Sequence, residues 1–110
     1  WARMYNRAGK LVSPNLKSFQ AAAANVDFTK AQDFYVILTD QPGDESWPIS
    51  GGTWEIMRTD MPKSTNEPVS KFFGRGYEHG QKMAEESGYG PLPKSTVEAI
   101  RAYWKTNLGI

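Results

Sequence analysis

Leu16, Phe19, Ala23 and Val26 recur at the spacing that lines side chains along one face of a helix. Ser13 offers an N-cap oxygen and Pro14 suits a first helical position, so a helix is expected to open in SPNLKSFQAAAANV. The alanine run favours it. A longer helix is expected from Pro68 to Ser87. Its apolar stripe is Val69, Phe72, Phe73, Tyr77, Met83 and Ala84, with Gly76 and Gly80 on the same side. Gly74, Gly76 and Gly80 inside a helix cost about 1 kcal/mol each relative to alanine. Close approach of a neighbouring backbone is the expected return. Gly88 stands where a C-terminal cap belongs. A last helix is expected from about Ser95 to Asn107. Ser95 and Glu98 have capping-box spacing, and Val97, Ile100, Tyr103 and Trp104 form its apolar face.

Other stretches read as strands. Trp1 to Arg7 resembles a strand end, followed by a turn at Ala8-Gly9-Lys10. Phe34 to Thr39, FYVILT, is a continuous apolar and β-branched run, short enough for a buried strand. Thr53 to Thr59, TWEIMRT, alternates: Trp54, Ile56 and Arg58 face one way, Thr53, Glu55, Met57 and Thr59 the other. DQPGDESWP and DMPKSTNEP are dense in turn residues and read as loops. There is no repeat and no low-complexity segment.

Composition narrows the function classes. The chain has 110 residues, 39% hydrophobic and 23% charged, with a formal net charge of +1. That is ordinary for a globular protein of one modest domain. Lys and Arg are spread out, without a basic run, so nucleic acid is a poor partner. No apolar stretch approaches a membrane span. Without cysteine there are no disulfides or thiolate metal sites, and one histidine excludes a multi-histidine site. The chain opens on Trp1, as if in the middle of an element, and is expected to be a fragment or a processed chain.

Each candidate for chemistry meets an objection. His79 could act as a general base beside Glu78. Neighbours on a helix point about 100° apart, so convergence is not expected, and no motif places a nucleophile. Asp40, Asp44 and Glu45 cluster in a Pro/Gly loop, but their spacing does not make an EF-hand. Trp47-Pro48 could stack on a ligand or anchor a loop. Ser50-Gly51-Gly52-Thr53 has the letters of a phosphate cradle. Such a cradle belongs at a helix N-terminus, and here the next segment reads as a strand.

SPNLKSFQAAAANVDFTKA, then ESWPISGGTWEIM, then VSKFFGRGYEHGQKMAEESGYGPLPKSTVEAIRAYWKTNL resembles the C-terminal part of the phosphate-binding protein of bacterial phosphate ABC transporters. The features are the Ala-rich helix, Trp47-Pro48-Ile49, Phe72-Phe73, Tyr89, Leu92-Pro93, Val97 and Trp104-Lys105-Thr106-Asn107. The likeness spans roughly Ser13 to Leu108.

That resemblance implies an α/β fold, the C-terminal fragment of a two-lobed periplasmic-binding-protein fold of type II-like topology. Residues 1–46 would end the second lobe. Residues 47–110 would end the first, after a crossing near Trp47-Pro48. The family grips phosphate with backbone N–H groups, hydroxyls, an Arg and an Asp from earlier in the chain. No catalytic, phosphate-binding or metal residue is therefore assigned here, and Ser50 to Thr53 imitates the cradle in letters only. The implied role is scaffold in a periplasmic protein that captures inorganic phosphate and delivers it to an inner-membrane ABC permease. The resemblance implies neither an enzyme nor a cofactor. Its implied partners are phosphate, the N-terminal remainder and the permease. A binder of another oxyanion is the alternative, with a phosphoester hydrolase behind it. Strand 53–59 would need strands that this chain lacks, so the piece is not expected to fold stably alone.

Overall fold

The computed structural model describes the backbone of residues 1–110 and every side chain except that of Thr29. The chain forms two compact units, Trp1–Thr53 and Trp54–Ile110.

The first unit opens with a hairpin. β1 (Met4–Tyr5) pairs antiparallel with β2 (Leu11–Val12), Met4 facing Val12 and Tyr5 facing Leu11. Gly9 turns the chain at φ 71°, a conformation glycine adopts without steric cost. α1 (Leu16–Ala24) starts after Asn15 rather than Ser13. The reason is a reciprocal cap. Asn15 Oδ1 accepts from the Ser18 amide at 3.0 Å, and Ser18 Oγ accepts from the Asn15 amide at 3.1 Å. Ser18 Oγ also donates to the Ser13 carbonyl at 2.7 Å. Ala22 and Ala23 form the buried face of α1, and Phe19 meets Trp47 edge-on at 6.4 Å.

Phe34 to Thr39 does not form the expected strand. Two 3-10 turns, Phe28–Lys30 and Gln32–Phe34, lead into an irregular stretch whose only pairing is an isolated antiparallel bridge, Thr39 to Ile49. Tyr35 and Ile37 are exposed, while Leu38 is buried. An apolar run becomes a strand only when neighbours complete its ladder, and among the described residues this one is met only at its end, by Ile49.

The second unit is helical: α2 (Lys63–His79), α3 (Gln81–Glu86) and α4 (Lys94–Asn107). Thr53 to Thr59, expected as a strand, is irregular, and Ile56 is almost fully exposed. Its alternation has no partner strand among the described residues. α2 begins at Lys63, before Pro68, which sits in the second turn and removes one backbone bond. The expected single helix to Ser87 is broken at Gly80. A Cβ there would lie 2.6 Å from the Gly76 carbonyl oxygen, so the joint between α2 and α3 needs glycine. The close approach is thus to the helix's own backbone. Gly74 meets only the Trp104 ring, at 4.0 Å, and Gly76 faces open space. Gly88, at φ 80°, caps α3: its amide reaches Glu85 O, and the Tyr89 amide reaches Ala84 O at 2.8 Å. The Ser95–Glu98 capping box does not form. Helix α4 opens one residue earlier, behind Pro93, with no side-chain cap.

α2 and α4 pack together through Tyr77 and Trp104, whose rings stack at 6.1 Å. No helix among the described residues is long and apolar enough to cross a membrane.

Candidate functional site

The segment around Ser50 is organised by a buried polar network. Asn6 is 7% exposed and uses its whole amide. Its Nδ2 donates to the carbonyls of Gly43 (3.0 Å), Asp44 (2.9 Å) and Ser46 (3.2 Å). Its Oδ1 accepts from the amides of Ala8 (3.1 Å) and Lys10 (2.9 Å). One side chain therefore closes the hairpin turn and clamps residues 43–46 to it. Ser46 is fully buried; its Oγ donates to Pro42 O at 2.6 Å and accepts from Asn25 Nδ2 at 3.3 Å. Gly43 has φ 113°, and a Cβ there would come 2.7 Å from Asn25 Nδ2. The DQPGDESWP stretch is a loop, as read, but it is fixed from beneath.

Trp47 is buried at 6%, and its amide donates to Ser18 O at 3.0 Å. It anchors the loop on α1, which is the structural one of its two readings. Ser50 is also buried, and its hydroxyl donates to Trp47 O at 3.1 Å. Gly51, Gly52 and Thr53 are exposed, and no helix follows them. The dipole and converging amides that make an anion cradle at a helix N-terminus are missing, and the one buried hydroxyl is already committed to a carbonyl.

The acidic candidates do not converge. Glu45 pairs with Lys17 at 2.7 Å on the exposed surface. Asp40 turns the backbone at φ 54°, its amide donating to Pro48 O. Among the described residues no group of acids or histidine is placed to hold a metal. Glu78 and His79 approach more closely than their helical offset predicts, 3.7 Å between Oε2 and Nε2, still beyond a hydrogen bond. Glu78 is instead bonded to Arg101 Nη2 at 2.6 Å. That guanidinium holds its carboxyl below the usual 4.5, the opposite of what a general base near neutrality requires. Tyr77 moves the other way, its phenol pushed above 10.0 by burial and by the nearby charge of Glu55.

The sequence reading passed over Asn6, whose role depends on carbonyls some 40 positions away. It also passed over a groove between α2 and α4 lined with Lys and Arg. The groove had a legible signal: Lys71/Arg75 and Arg101/Lys105 are like charges spaced i,i+4.

No protein-family model matches the chain. Individual relatives do. The phosphate-binding protein PstS of Pasteurella multocida is 37% identical over 109 residues, 98% of this chain and 32% of that protein. This chain is thus similar in sequence to the PstS phosphate-binding proteins. The PstS of Xylella fastidiosa strain 9a5c is likewise 37% identical, over 94% of this chain and 29% of its own length. This chain thus spans about a third of the length of the PstS relatives it matches. A shorter match, 43% over 51 residues, is to a putative serine/threonine-protein kinase/receptor, R826, of Acanthamoeba polyphaga mimivirus; it covers 46% of this chain and 3% of that protein. The PstS matches run nearly end to end and are to proteins named for binding phosphate, not for catalysis.

Proposed function

We propose that this chain is the C-terminal part of a periplasmic phosphate-binding protein, which captures inorganic phosphate and hands it to an ABC permease in the inner membrane. The observation that carries the reading is the end-to-end match to PstS at about a third of its length. In this reading residues 1–46 complete the second lobe and residues 47–110 the first, in a two-lobed, type II-like fold. The phosphate ligands come from the N-terminal remainder. Ser50 to Thr53 is a connection, in keeping with its committed hydroxyl and the lack of a following helix.

The scaffold role accounts for the two missing strands. Phe34–Thr39 and Thr53–Thr59 carry strand-like sequence without described partners, and the remainder supplies the neighbouring strands. The exposed side chains of Ile37, Ile56 and Phe72 become core once that sheet is present.

The test is equilibrium binding of phosphate to the protein at its natural length and to residues 1–110 alone, with sulfate and arsenate as competitors. Saturable phosphate binding by the long form and none by the short form is expected. Preference for sulfate would replace phosphate with another oxyanion. Tight phosphate binding by residues 1–110 alone would overturn the scaffold reading and return attention to Ser50–Thr53.

A further inference from the structure

A groove of about 460 Å³ runs along the contact of α2 and α4. Lys71 and Arg75 line it from α2, Arg101 and Lys105 from α4, with the Trp104 indole between them. Four of the chain's 13 Lys and Arg residues thus face one acid, Glu78. Like charges at i,i+4 destabilise a helix, and here one such pair on each helix lines the same groove. Glu78 answers Arg101 at 2.6 Å and Glu67 answers Lys71 at 2.7 Å. Arg75 and Lys105 make no ion pair among the described residues.

The groove is separate from the surface that the rest of the protein would cover. The exposed apolar strip of α2 is Val69 and Phe72 beside Gly76. By helix geometry it lies roughly 150° round α2 from the middle of the groove face. Folding a sheet over the groove would also bury two unpaired cations, which is costly. The groove therefore stays at the surface.

We propose that this groove docks an extended acidic segment of a partner protein, its carboxylates meeting Arg75 and Lys105 and its apolar side chains resting on Trp104. Charge complementarity selects the partner. A small anion would need converging, buried donors, whereas Lys71 is 73% exposed and its neighbours are spread along two turns of helix. A flat anionic membrane would not reach the indole between the two helices. The inference rests on the scaffold reading for the groove's exposure and not on phosphate capture.

The test uses the protein at its natural length and a fluorescent ten-residue oligoglutamate peptide, read by anisotropy at low salt. Binding should weaken as salt rises. It should weaken at least tenfold in the double variant Arg75→Glu/Lys105→Glu, and stay within twofold of wild type in Lys10→Glu, a reversal in the other unit. Thermal melts of the variants report that the fold is kept. An equal loss in Lys10→Glu would reduce the effect to net charge and overturn the proposal. So would the absence of wild-type binding, or phosphatidylglycerol vesicles binding more tightly than the peptide with the same dependence on Arg75 and Lys105. Phosphate affinity, measured alongside, should be unchanged in the double variant; its failure in the wild type would count against the phosphate reading alone.

Discussion

The two units are held together by different means. Every buried apolar side chain among the described residues, Ala22, Ala23, Phe28, Leu38 and Trp47, belongs to residues 1–53. There the hydrogen-bond network of Asn6, Ser46, Ser18 and Asn25 locks loops onto a helix and a hairpin. In residues 54–110 the buried side chains are Asn66, Ser70 and Thr96, while Ile56, Phe72 and Met83 stand in solvent. Among the described residues α2 and α4 meet through the Tyr77–Trp104 stack and one exposed ion pair, Glu78 to Arg101. Exposed pairs contribute little, and amphipathic helices depend on packing for stability. The first unit is thus pinned internally, whereas the second leaves its large apolar side chains in solvent.

The sharpest way to break this contrast is to exchange the indoles for alanine. In the natural-length protein, Trp47→Ala should cost about 4 kcal/mol, the usual range for a buried large aromatic. Urea denaturation measures it. Trp104→Ala, on a half-buried ring, should cost about half as much. Equal losses would mean that α2 and α4 hold a core as complete as that of the first unit.

Asn6→Ala comes next. It orphans the buried carbonyl of Ser46, the part-buried carbonyls of Gly43 and Asp44 and two part-buried turn amides, and should cost about 2 kcal/mol at the general rate for unsatisfied groups. The same denaturation series reads it. A loss near zero would mean that the loop is held by Trp47 alone.

The smallest effect sharpens the second unit. Its carboxylates Asp60, Glu67 and Glu78 are held below their ordinary pKa values by Arg58, Lys71 and Arg101. A depressed folded pKa adds stability above the unfolded value, and that stability is lost as pH falls through the folded one. These contacts should therefore weaken below about pH 4, with a modest effect because the pairs are exposed. NMR titration of the side-chain carboxyl carbons should find Glu78 titrating below 4.5 and moving up in Arg101→Met. An unmoved titration would remove Arg101 as the cause.

The helices were legible because their signals are local. Apolar periodicity marked α1, α2 and α4, and Gly88 capped α3 as its position suggests. Their boundaries shifted where side chains decided them: Asn15 displaced Ser13 because Ser18 could reach back to its amide, and Gly80 split the long helix. The strand of Trp1–Arg7 and its turn at Gly9 were legible, because the hairpin partner is only a few residues away. FYVILT and TWEIMRT carry strand periodicity but are irregular here, because a strand exists only with its neighbour, and sequence pattern does not supply one. The lack of a helix directly after Ser50–Thr53 was legible too. The commitment of the buried Ser50 hydroxyl to Trp47 O depends on a fold that the letters do not display.

The central claim is that residues 54–110 form a layer completed by the rest of the protein. Hydrogen exchange tests it most directly, with residues 1–110 alone compared against the same residues in the natural-length protein. The account predicts that in the isolated chain the amides of α2, α4 and residues 53–59 exchange rapidly, while those of α1 keep measurable protection. In the longer protein α2, α4 and 53–59 should all become strongly protected. Equal, strong protection of α2 and α4 in both samples would contradict it.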